Sequence, residues 1–144
     1  MDTPSNNVAL LKRVWDPLET GTSQDFGAVF ALFADDIVFS TAQGDVQGKA
    51  AVIRYFACTA GMLEADPFVR PLEYYADGSR VVQLGFETFT VRATGFRKDC
   101  DWAFVYDIHD GKITRMMNIQ DLSGVEEFAA AALAEARSEA MQDR

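Results

Sequence analysis

The apolar residues of this 144-residue chain change their spacing once, at the segment ADPF (residues 65–68). Before this segment they recur three and four residues apart, as in Val8, Leu11, Trp15 and Leu18, which is the period of a helix packed on a core. After it they alternate, which is the period of β-strands. Helices followed by consecutive strands predict an α+β domain with helices on one face of a curved, largely antiparallel sheet.

The predicted elements follow from this division of the chain. We predict three N-terminal helices, a short strand between the second and the third, four later strands and a C-terminal helix. The helices are expected at residues 5–19, 24–34, 48–63 and 123–141. The strands are expected in DIVFST, FVRPLEYYA, SRVVQLGFETFTVRA, CDWAFVYDIHD and KITRMMNIQD. Asp77-Gly78 and Asp110-Gly111 are predicted hairpin turns, because glycine adopts a positive φ without steric cost.

The ends of the first two helices are indicated by polar caps and by one proline. Ser5 or Asn6 is expected to cap the first helix and Ser23 the second, since these side chains accept hydrogen bonds from exposed N–H groups. Pro17 lacks a backbone N–H, so the first helix is expected to kink or end near it.

The charge distribution argues against two classes of partner. The net charge is −9, and the 13 lysine and arginine residues are scattered. Nucleic acid and anionic membranes require clustered basic residues, so we expect neither partner. With 49% hydrophobic residues, the chain is expected to be one domain over residues 1–144, with its core in about 8–130 and a helical tail in 131–144.

No motif indicates a cofactor or a metal. Cys58 and Cys100 lack the spacing of metal ligands and are expected to be free, buried thiols rather than a disulfide bond. His109 is the single histidine, at a predicted hairpin tip, so neither a zinc site nor a serine triad is predicted. The first residues lack an apolar segment of signal-peptide length, and the default expectation is the cytoplasm.

Two regions of the chain resemble a known superfamily. ALFADDIVF ahead of GKAAVIRYF is similar to the NTF2-like (cystatin-like) α+β cone fold, and DGKITRMMNIQDLSGVEEF is similar to the last hairpin and tail of its SnoaL-like branch. The resemblance implies a strongly curved antiparallel or mixed sheet wrapped around three N-terminal helices, with a C-terminal helix. It also implies a deep apolar pocket inside the cone and a homodimer through the convex face.

The segment CDWAFVYDI offers aromatic residues for such a dimer. Trp102, Phe104 and Tyr106 alternate with Ala103 and Val105, and successive side chains of a strand point to opposite faces. We predict that the three aromatic residues form the outer, dimerising face and that Ala103 and Val105 line the pocket. The alternative is that the C-terminal helix covers the aromatic residues within one chain.

The resemblance also allows two known residue sets to be compared with this chain. In ketosteroid isomerases an aspartate base works with a tyrosine and a protonated aspartate. The matching positions here are at Thr41 and near Trp15 and Ala103. All three groups are absent, so this isomerisation mechanism is not predicted.

Limonene-epoxide hydrolases use an arginine and two aspartates, which match Gly85, Glu87 and Asn118 here. Their water-holding tyrosine and asparagine match Phe39 and Thr41. One carboxylate remains and the arginine is missing, so epoxide hydrolysis by that mechanism is not predicted either.

Glu87 is the remaining candidate catalytic residue. The alternation of side chains along its strand places Glu87 on the predicted pocket wall, among apolar neighbours. Burial there is expected to raise the pKa of its carboxyl and to make it a base near neutral pH. Asn118 is the second candidate catalytic residue. Together with Thr41, it is expected to orient Glu87 or to bind a carbonyl oxygen of the substrate. The alternative is that Glu87 is a structural group satisfied by Asn118, Gln83 or an arginine.

These residues predict a small apolar molecule as the ligand. The candidate ligand-binding residues are Trp15, Phe39, Thr41, Phe56, Phe89, Ala103 and Val105. The leading hypothesis is cofactor-independent acid–base chemistry, of isomerase, cyclase, hydrolase or dehydratase type, on an oxygen-bearing substrate. The alternatives are a non-catalytic ligand-binding or protein-assembly module of the same fold, or a subunit whose partner completes the site.

Overall fold

A computed structural model of the chain describes residues 3–21, 25–66, 68 and 70–142. The helices are α1 (Pro4–Glu19), α2 (Gly27–Phe30), α3 (Lys49–Met62) and α4 (Glu126–Gln142). The strands are β1 (Phe33–Thr41), β2 (Gly44–Gln47), β3 (Leu63–Ala65), β4 (Glu73–Asp77), β5 (Arg80–Val91), β6 (Arg97–His109) and β7 (Lys112–Gln120). The predicted change from early helices to late strands is confirmed.

The strands form one curled, mixed sheet in the order β2-β1-β7-β6-β5-β3, and β4 also pairs with β5. Every pair is antiparallel except β1 with β7, which is parallel. Fully buried residues of α1, α3 and the sheet, such as Leu11, Val52 and Tyr106, form one core inside the curl. α4 packs against α3 and β2. The predicted α+β cone with a C-terminal helix is confirmed.

The edge of β5 that faces away from β6 is only partly paired. β4 pairs with Arg80–Leu84, and β3 pairs with Phe89–Val91. In the described part of the chain, no strand pairs with this edge over Gly85–Thr88, although the Asp66 N–H donates to the Thr88 carbonyl at 2.9 Å. This part of the edge is therefore unpaired by any described strand, and Glu87 lies on its inner face.

The register between β5 and β6 corrects the predicted orientation of the aromatic residues. Trp102 pairs with Gly85, and residues directly opposite each other share a face of the sheet. Trp102, Phe104 and Tyr106 therefore lie on the inner face with Glu87, and each is at most 9% exposed. The prediction that they form an outer, dimerising face is wrong, because these rings complete the core of their own chain.

The helices that cover these rings are α1 and α3. The Trp15 ring lies 6.3 Å from the Trp102 ring and 6.2 Å from the Phe104 ring, between centroids. The Phe56 ring of α3 lies 6.3 Å from the Phe104 ring. The alternative that the C-terminal helix covers them is therefore also wrong.

The convex face of the sheet carries the residues that alternate with the buried rings. Ala103 and Val105 pair with Leu84 and Val82 there, so the prediction that they line the interior is wrong. Apolar side chains from four strands share this face: Tyr75, Val82, Leu84, Ala103, Val105, Met117 and Ile119. Tyr75 and Ile119 are more than half exposed.

The start of α1 differs from the prediction. The Thr3 hydroxyl accepts a hydrogen bond from the Asn6 N–H at 3.2 Å, so Thr3 is the cap and neither Ser5 nor Asn6 has that role. The helix includes Pro17 and ends two residues after it, near where the proline was expected to end it. No helix among the described residues is long and apolar enough to cross a membrane.

The second helix is much shorter than predicted, with a single turn at Gly27–Phe30. Phe33 instead begins β1 and pairs with Ile113 of β7, and the Ile113 N–H donates to the Leu32 carbonyl at 2.7 Å. These sheet contacts override the local helical pattern. Ser23, the predicted cap, lies outside the described residues.

Candidate functional site

Glu87 lies on the inner face of β5, in the part of the strand that neither β3 nor β4 pairs with, and is half-buried. Burial raises the pKa of its carboxyl from 4.5 to about 7, because the charged form loses contact with water. The Trp102 indole N–H opposes this rise, since it interacts favourably with the ionised carboxylate. The predicted inward orientation and raised pKa of Glu87 are confirmed.

Trp102 lies across the backbone of Gly85. A Cβ atom at residue 85 would lie only 2.2 Å from Cζ2 of the Trp102 indole, so this position accepts the ring because it has no side chain. The Trp102 N–H is buried and forms no hydrogen bond of standard geometry with any described residue. The site therefore contains a half-buried acid beside an indole N–H that interacts with it without a hydrogen bond of standard geometry.

The side chains that could have hydrogen-bonded to Glu87 in a purely structural role have other partners or lie on the other face of the sheet. The Tyr106 hydroxyl donates to Gln83 Oε1 at 2.6 Å, and Gln83 Nε2 donates to the Tyr74 hydroxyl at 3.2 Å. Arg115 lies on the opposite face of the sheet. Among the described residues, neither Asn118, Gln83 nor an arginine hydrogen-bonds to the Glu87 carboxyl.

Asn118 lies on the inner face of β7, opposite Phe104, and is half-buried. β6 separates it from Glu87, so the structure does not bring the two candidate catalytic residues into contact. Its Nδ2 donates to Gln120 Oε1 at 3.3 Å, while its Oδ1 is buried and has no partner in the described regions. Asn118 thus offers an acceptor to the interior but does not orient Glu87.

Phe39 and Thr41 both have structural roles, Phe39 in the core and Thr41 in a turn. Phe39 is fully buried, and its ring lies 5.1 Å from Tyr55 and 5.0 Å from Phe56, between centroids. The Thr41 hydroxyl donates to the Gly44 carbonyl at 2.9 Å and accepts from the Gln43 N–H at 3.1 Å. These bonds close the β1–β2 hairpin.

The other three candidate ligand-binding residues lie on the inner side. Trp15 is buried, whereas Phe56 and Phe89 are half-buried. Phe89 lies on the same strand and face as Glu87 and pairs with Lys98. Trp15 and Phe56 contact the rings of β6, so an aromatic cluster leads from the core towards the acid.

Two cavities stand out among the described residues, and neither is a deep chamber at the centre of the cone. An open groove of about 610 Å³ lies at the start of α3, lined by residues such as Asp35, Lys49 and Arg54. A smaller cavity of about 160 Å³ lies at the edge of β5, lined by Gly85 and Trp102 and mostly by residues of the convex side, including Arg70, Leu84 and Asp101. Glu87 does not line it. The centre of the cone is occupied by aromatic rings.

The polar groups at the same end of the sheet are held in place. Cys100 lies opposite Glu87 and is buried, which raises the pKa of its thiol. The Lys98 ammonium donates to the Ser123 carbonyl at 2.7 Å and lies 3.5 Å from Asp121. Asp121 therefore anchors the segment before α4 through Lys98 and Ser123.

The two cysteines and the single histidine complete the set of sequence candidates. Cys58 and Cys100 are both free, although Cys58 is half-buried rather than buried. His109 is exposed at the end of β6. In the ranges that the structure describes, no three histidine, cysteine, aspartate or glutamate side chains are grouped as metal ligands.

Sequence reasoning missed the roles of Trp102 and Gly85 in the site. Trp102 was assigned to the outer face because the strand has apolar residues on both sides. The pairing of Trp102 with Gly85 across two strands decides its orientation and places both residues beside Glu87, but neither strand shows this pairing in its own sequence.

Comparisons with known proteins agree with this architecture. Residues 15–116 match the family described as SnoaL-like domain. The chain is 25% identical to an NTF2-like protein from Burkholderia xenovorans LB400, with a TM-score of 0.69 over 93% of this chain and 97% of that chain. No curated protein matches the sequence.

Two further solved structures share the fold at lower identity. A candidate polyketide cyclase from Xanthomonas campestris pv. campestris is 21% identical, with a TM-score of 0.71 over 90% of this chain and 98% of that one. A candidate isomerase from Bacillus subtilis is 18% identical, with a TM-score of 0.67 over 89% and 94%.

Proposed function

Because this chain belongs to the SnoaL-like domain family, we propose that it binds an apolar, oxygen-bearing small molecule and acts on it by cofactor-independent acid–base chemistry. Glu87 is the base. The observation that carries this proposal is a half-buried carboxyl on the inner face, with no ion-pair partner among the described residues and a pKa of about 7. Enzymes raise the pKa of carboxylic acids in this way for proton transfer at neutral pH.

The chemistry proposed for Glu87 is removal of a proton from a carbon next to a carbonyl group. The C–H electron pair moves to the carbonyl, an enolate forms, and the proton resides on Glu87. Return of the proton at another carbon of the enolate completes an isomerisation. In a cyclisation, the enolate carbon attacks a second carbonyl, and the alkoxide that forms takes the proton back from Glu87. The cyclase and isomerase names of similar structures support these two reaction types.

Proton exchange tests this proposal without knowledge of the natural substrate. In D₂O, the protein is expected to accelerate exchange of the α-hydrogens of 2-tetralone or 1-indanone, followed by ¹H NMR. Glu87→Gln is expected to lower the enzymatic rate by about 10²-fold or more. The rate of the unsubstituted protein should rise as pH increases through 7, because the base is the carboxylate.

The matched control is Glu64→Gln, which removes an exposed carboxylate on β3 that pairs with Arg92 at 3.5 Å. This variant should keep the full exchange rate. Equal rates for Glu87→Gln and the unsubstituted protein would exclude Glu87 as the base.

A non-catalytic binding module is the second candidate function, and one observation favours it. The Thr41 hydroxyl is engaged within a hairpin and Asn118 is a strand away from Glu87, so the polar groups do not converge on one reacting atom. Aromatic rings also fill the centre of the cone. Binding of the ketones without faster exchange would support this second function.

We propose in addition that two copies associate through the convex face. The support is its set of seven apolar side chains from four strands, since monomeric proteins rarely expose large contiguous apolar surfaces. This surface replaces the buried aromatic residues as the dimer face.

Ile119→Lys is expected to weaken this dimer by about tenfold or more, because it places a charge in an apolar interface. Ile119 is 55% exposed, so folding should be unaffected. Sedimentation equilibrium measures the change, with Ala130→Lys on the exposed side of α4 as the control. An unsubstituted protein that stays monomeric at about 100 μM would contradict the proposal.

A further inference from the structure

The cross-strand neighbours of Glu87 on the inner face belong to β6. β3 and β4 leave this part of β5 unpaired. Glu87 lies directly opposite Cys100, and Lys98 and Trp102 are the next inner-face residues to either side. Side chains that are directly or diagonally opposite on paired strands are within reach of one another. Cys100, Lys98 and Trp102 are therefore the three β6 side chains that can act on this acid.

Two of these three side chains have other partners. Sγ of Cys100 lies 3.3 and 3.9 Å from two backbone carbonyl oxygens. The Lys98 ammonium donates to the Ser123 carbonyl at 2.7 Å and lies 3.5 Å from Asp121. The buried indole N–H of Trp102 is the donor among the three that has no partner of standard geometry in the described part of the chain.

The indole of Trp102 lies over β5. Cε2, the ring carbon that is bonded to the indole nitrogen, is 2.5 Å from the point where a Cβ atom of residue 85 would lie. Residues 85 and 87 are successive positions on the inner face of this strand. The ring therefore extends across Gly85, and its N–H lies on the strand that carries Glu87.

The acceptors on this face of β5 narrow the choice to Glu87. Gln83 is the other polar side chain there, and its Oε1 already accepts from the Tyr106 hydroxyl at 2.6 Å. Its Nε2 donates to the Tyr74 hydroxyl at 3.2 Å. The indole N–H also acts on the Glu87 carboxyl in the direction expected of a donor, since it lowers a pKa that burial raises.

We propose that Trp102 is the positioning residue of Glu87: its indole N–H, carried across β5 by the space at Gly85, holds the carboxylate on the inner face and favours its ionised form. This inference rests on the proposed function only in the use that it gives to Glu87. One side chain then has two opposite effects on the acid. The ring excludes water and disfavours the charge, whereas the N–H donates to the carboxylate and favours the charge.

These opposite effects distinguish positioning from simple packing. If Trp102 only fills space, a smaller or disturbed side chain admits water and lowers the pKa of Glu87 towards 4.5. If the N–H acts on the carboxylate, loss of the N–H from a ring of unchanged shape raises this pKa. The direction of the change decides between the two roles.

The test is Trp102→3-benzothienylalanine, in which a sulfur atom replaces the indole N–H and the ring keeps its shape. The Glu87 titration is followed through the carboxyl ¹³C signal of protein labelled at glutamate, and Glu87→Gln identifies that signal. The variant is expected to hold the Glu87 proton about tenfold more tightly, which moves the midpoint of the titration up by about one pH unit.

Trp15→3-benzothienylalanine is the matched control. Trp15 is also buried, and its N–H also lacks a partner of standard geometry among the described residues. Its ring lies 6.3 Å from the Trp102 ring between centroids, but its N–H interacts with the Tyr106 hydroxyl. The same atom is exchanged within the same aromatic cluster, and the Glu87 midpoint should stay at about 7.

Other titratable side chains lie on the elements around Glu87. They are Asp16 and Glu19 on α1, Tyr55 and Cys58 on α3, Glu64 on β3, Asp66 and Arg70 before β4, Glu73 and Tyr74 on β4, Lys98, Asp99, Cys100 and Asp101 on β6, and Asp121 after β7. The ¹³C signal belongs to Glu87 alone, and both tryptophan variants keep all of these groups. A difference between the two variants therefore reports the Trp102 N–H.

A second measurement needs no change at Trp102. The chain has two tryptophans, so a ¹H–¹⁵N spectrum shows two indole signals, which Trp15→Phe assigns. The Trp102 indole proton is expected to move downfield as pH rises through 7, with the midpoint of the Glu87 titration, because its acceptor becomes charged. In Glu87→Gln this movement should be absent.

The ketone exchange reaction gives the corresponding change in activity. The pH at which 2-tetralone exchange reaches half of its maximal rate should rise by about one pH unit in Trp102→3-benzothienylalanine, because the base ionises later. It should stay unchanged in the Trp15 variant.

Two results would overturn the inference: a Glu87 midpoint that stays the same or falls when the Trp102 N–H is removed, or a Trp102 indole proton that does not move through pH 7. The proposed function fails separately. The expected titrations in a protein that does not accelerate exchange would leave the positioning role intact and exclude the base role of Glu87.

Discussion

Replacing Gly85 by alanine is expected to destabilise the protein by about 3 kcal/mol, at the upper end of the usual range for overpacking. The new Cβ atom would lie 2.2 Å from the Trp102 ring, which is far inside van der Waals contact. The ring has little room to move, because Phe104 lies 5.1 Å away between ring centroids and Trp15 lies on its other side. Urea unfolding followed by circular dichroism measures the change.

Gly61→Ala is the matched control for this substitution. Gly61 lies in α3, and a Cβ atom there would meet nothing within 4 Å. Alanine should therefore stabilise the helix by about 0.5–1 kcal/mol. If alanine destabilises the protein at residue 85 and stabilises it at residue 61, the steric effect is separated from the general effect of adding a methyl group.

A double-mutant cycle tests whether Trp102 is the cause. In a Trp102→Leu background, the cost of Gly85→Ala should fall, with a coupling energy of about 1–3 kcal/mol between the two positions. If Gly85→Ala is as harmful without the indole as with it, the close packing of residues 85 and 102 is not what restricts this position.

Glu87→Gln is expected to stabilise the folded protein at high pH and to have little effect at low pH. The folded-state pKa of about 7 exceeds the ordinary value of 4.5, so the folded chain holds this proton more tightly than the unfolded chain. Stability from this group is fully present below pH 4.5, falls as pH rises to 7, and is lost above 7. One pKa unit corresponds to about 1.4 kcal/mol, and partial solvent access reduces the total to about 1–3 kcal/mol.

The measurement is the free energy of unfolding of both proteins at pH 4.5, 6, 7 and 8.5. The difference between them should grow across this range, because the other carboxylates titrate in both and cancel. Glu64→Gln, which removes an exposed group, should show no such trend. A constant difference between Glu87→Gln and the unsubstituted protein would mean that burial does not perturb this carboxyl.

The orientation of Glu87 and Asn118 could be predicted, but that of Trp102 could not. Alternation along one strand divides its residues into two sets without saying which set faces inward. On β6 both sets are apolar, so the decision rests on the pairing of Trp102 with Gly85. That register is a tertiary property, set by the turn between β5 and β6 and by packing on α1.

The end of α2 illustrates a second limit of the sequence. Phe30 and Phe33 have helical spacing, and both are drawn towards Phe56 in the folded chain. Phe33 reaches it from a strand, because pairing with β7 outweighs the local preference. The sequence analysis does not predict β2, because GDVQ is too short and too polar to show the alternation of a strand.

The parallel pairing of β1 with β7 has a consequence for synthesis of the protein. Phe33 and its partner Ile113 are separated by about 80 residues. At a translation rate of roughly 5–20 residues per second, β7 is synthesised about 4–16 seconds after β1. During that interval the edge of β1 that pairs with β7 has no partner. The first hairpin is therefore the segment that a ribosome-associated chaperone is expected to shield.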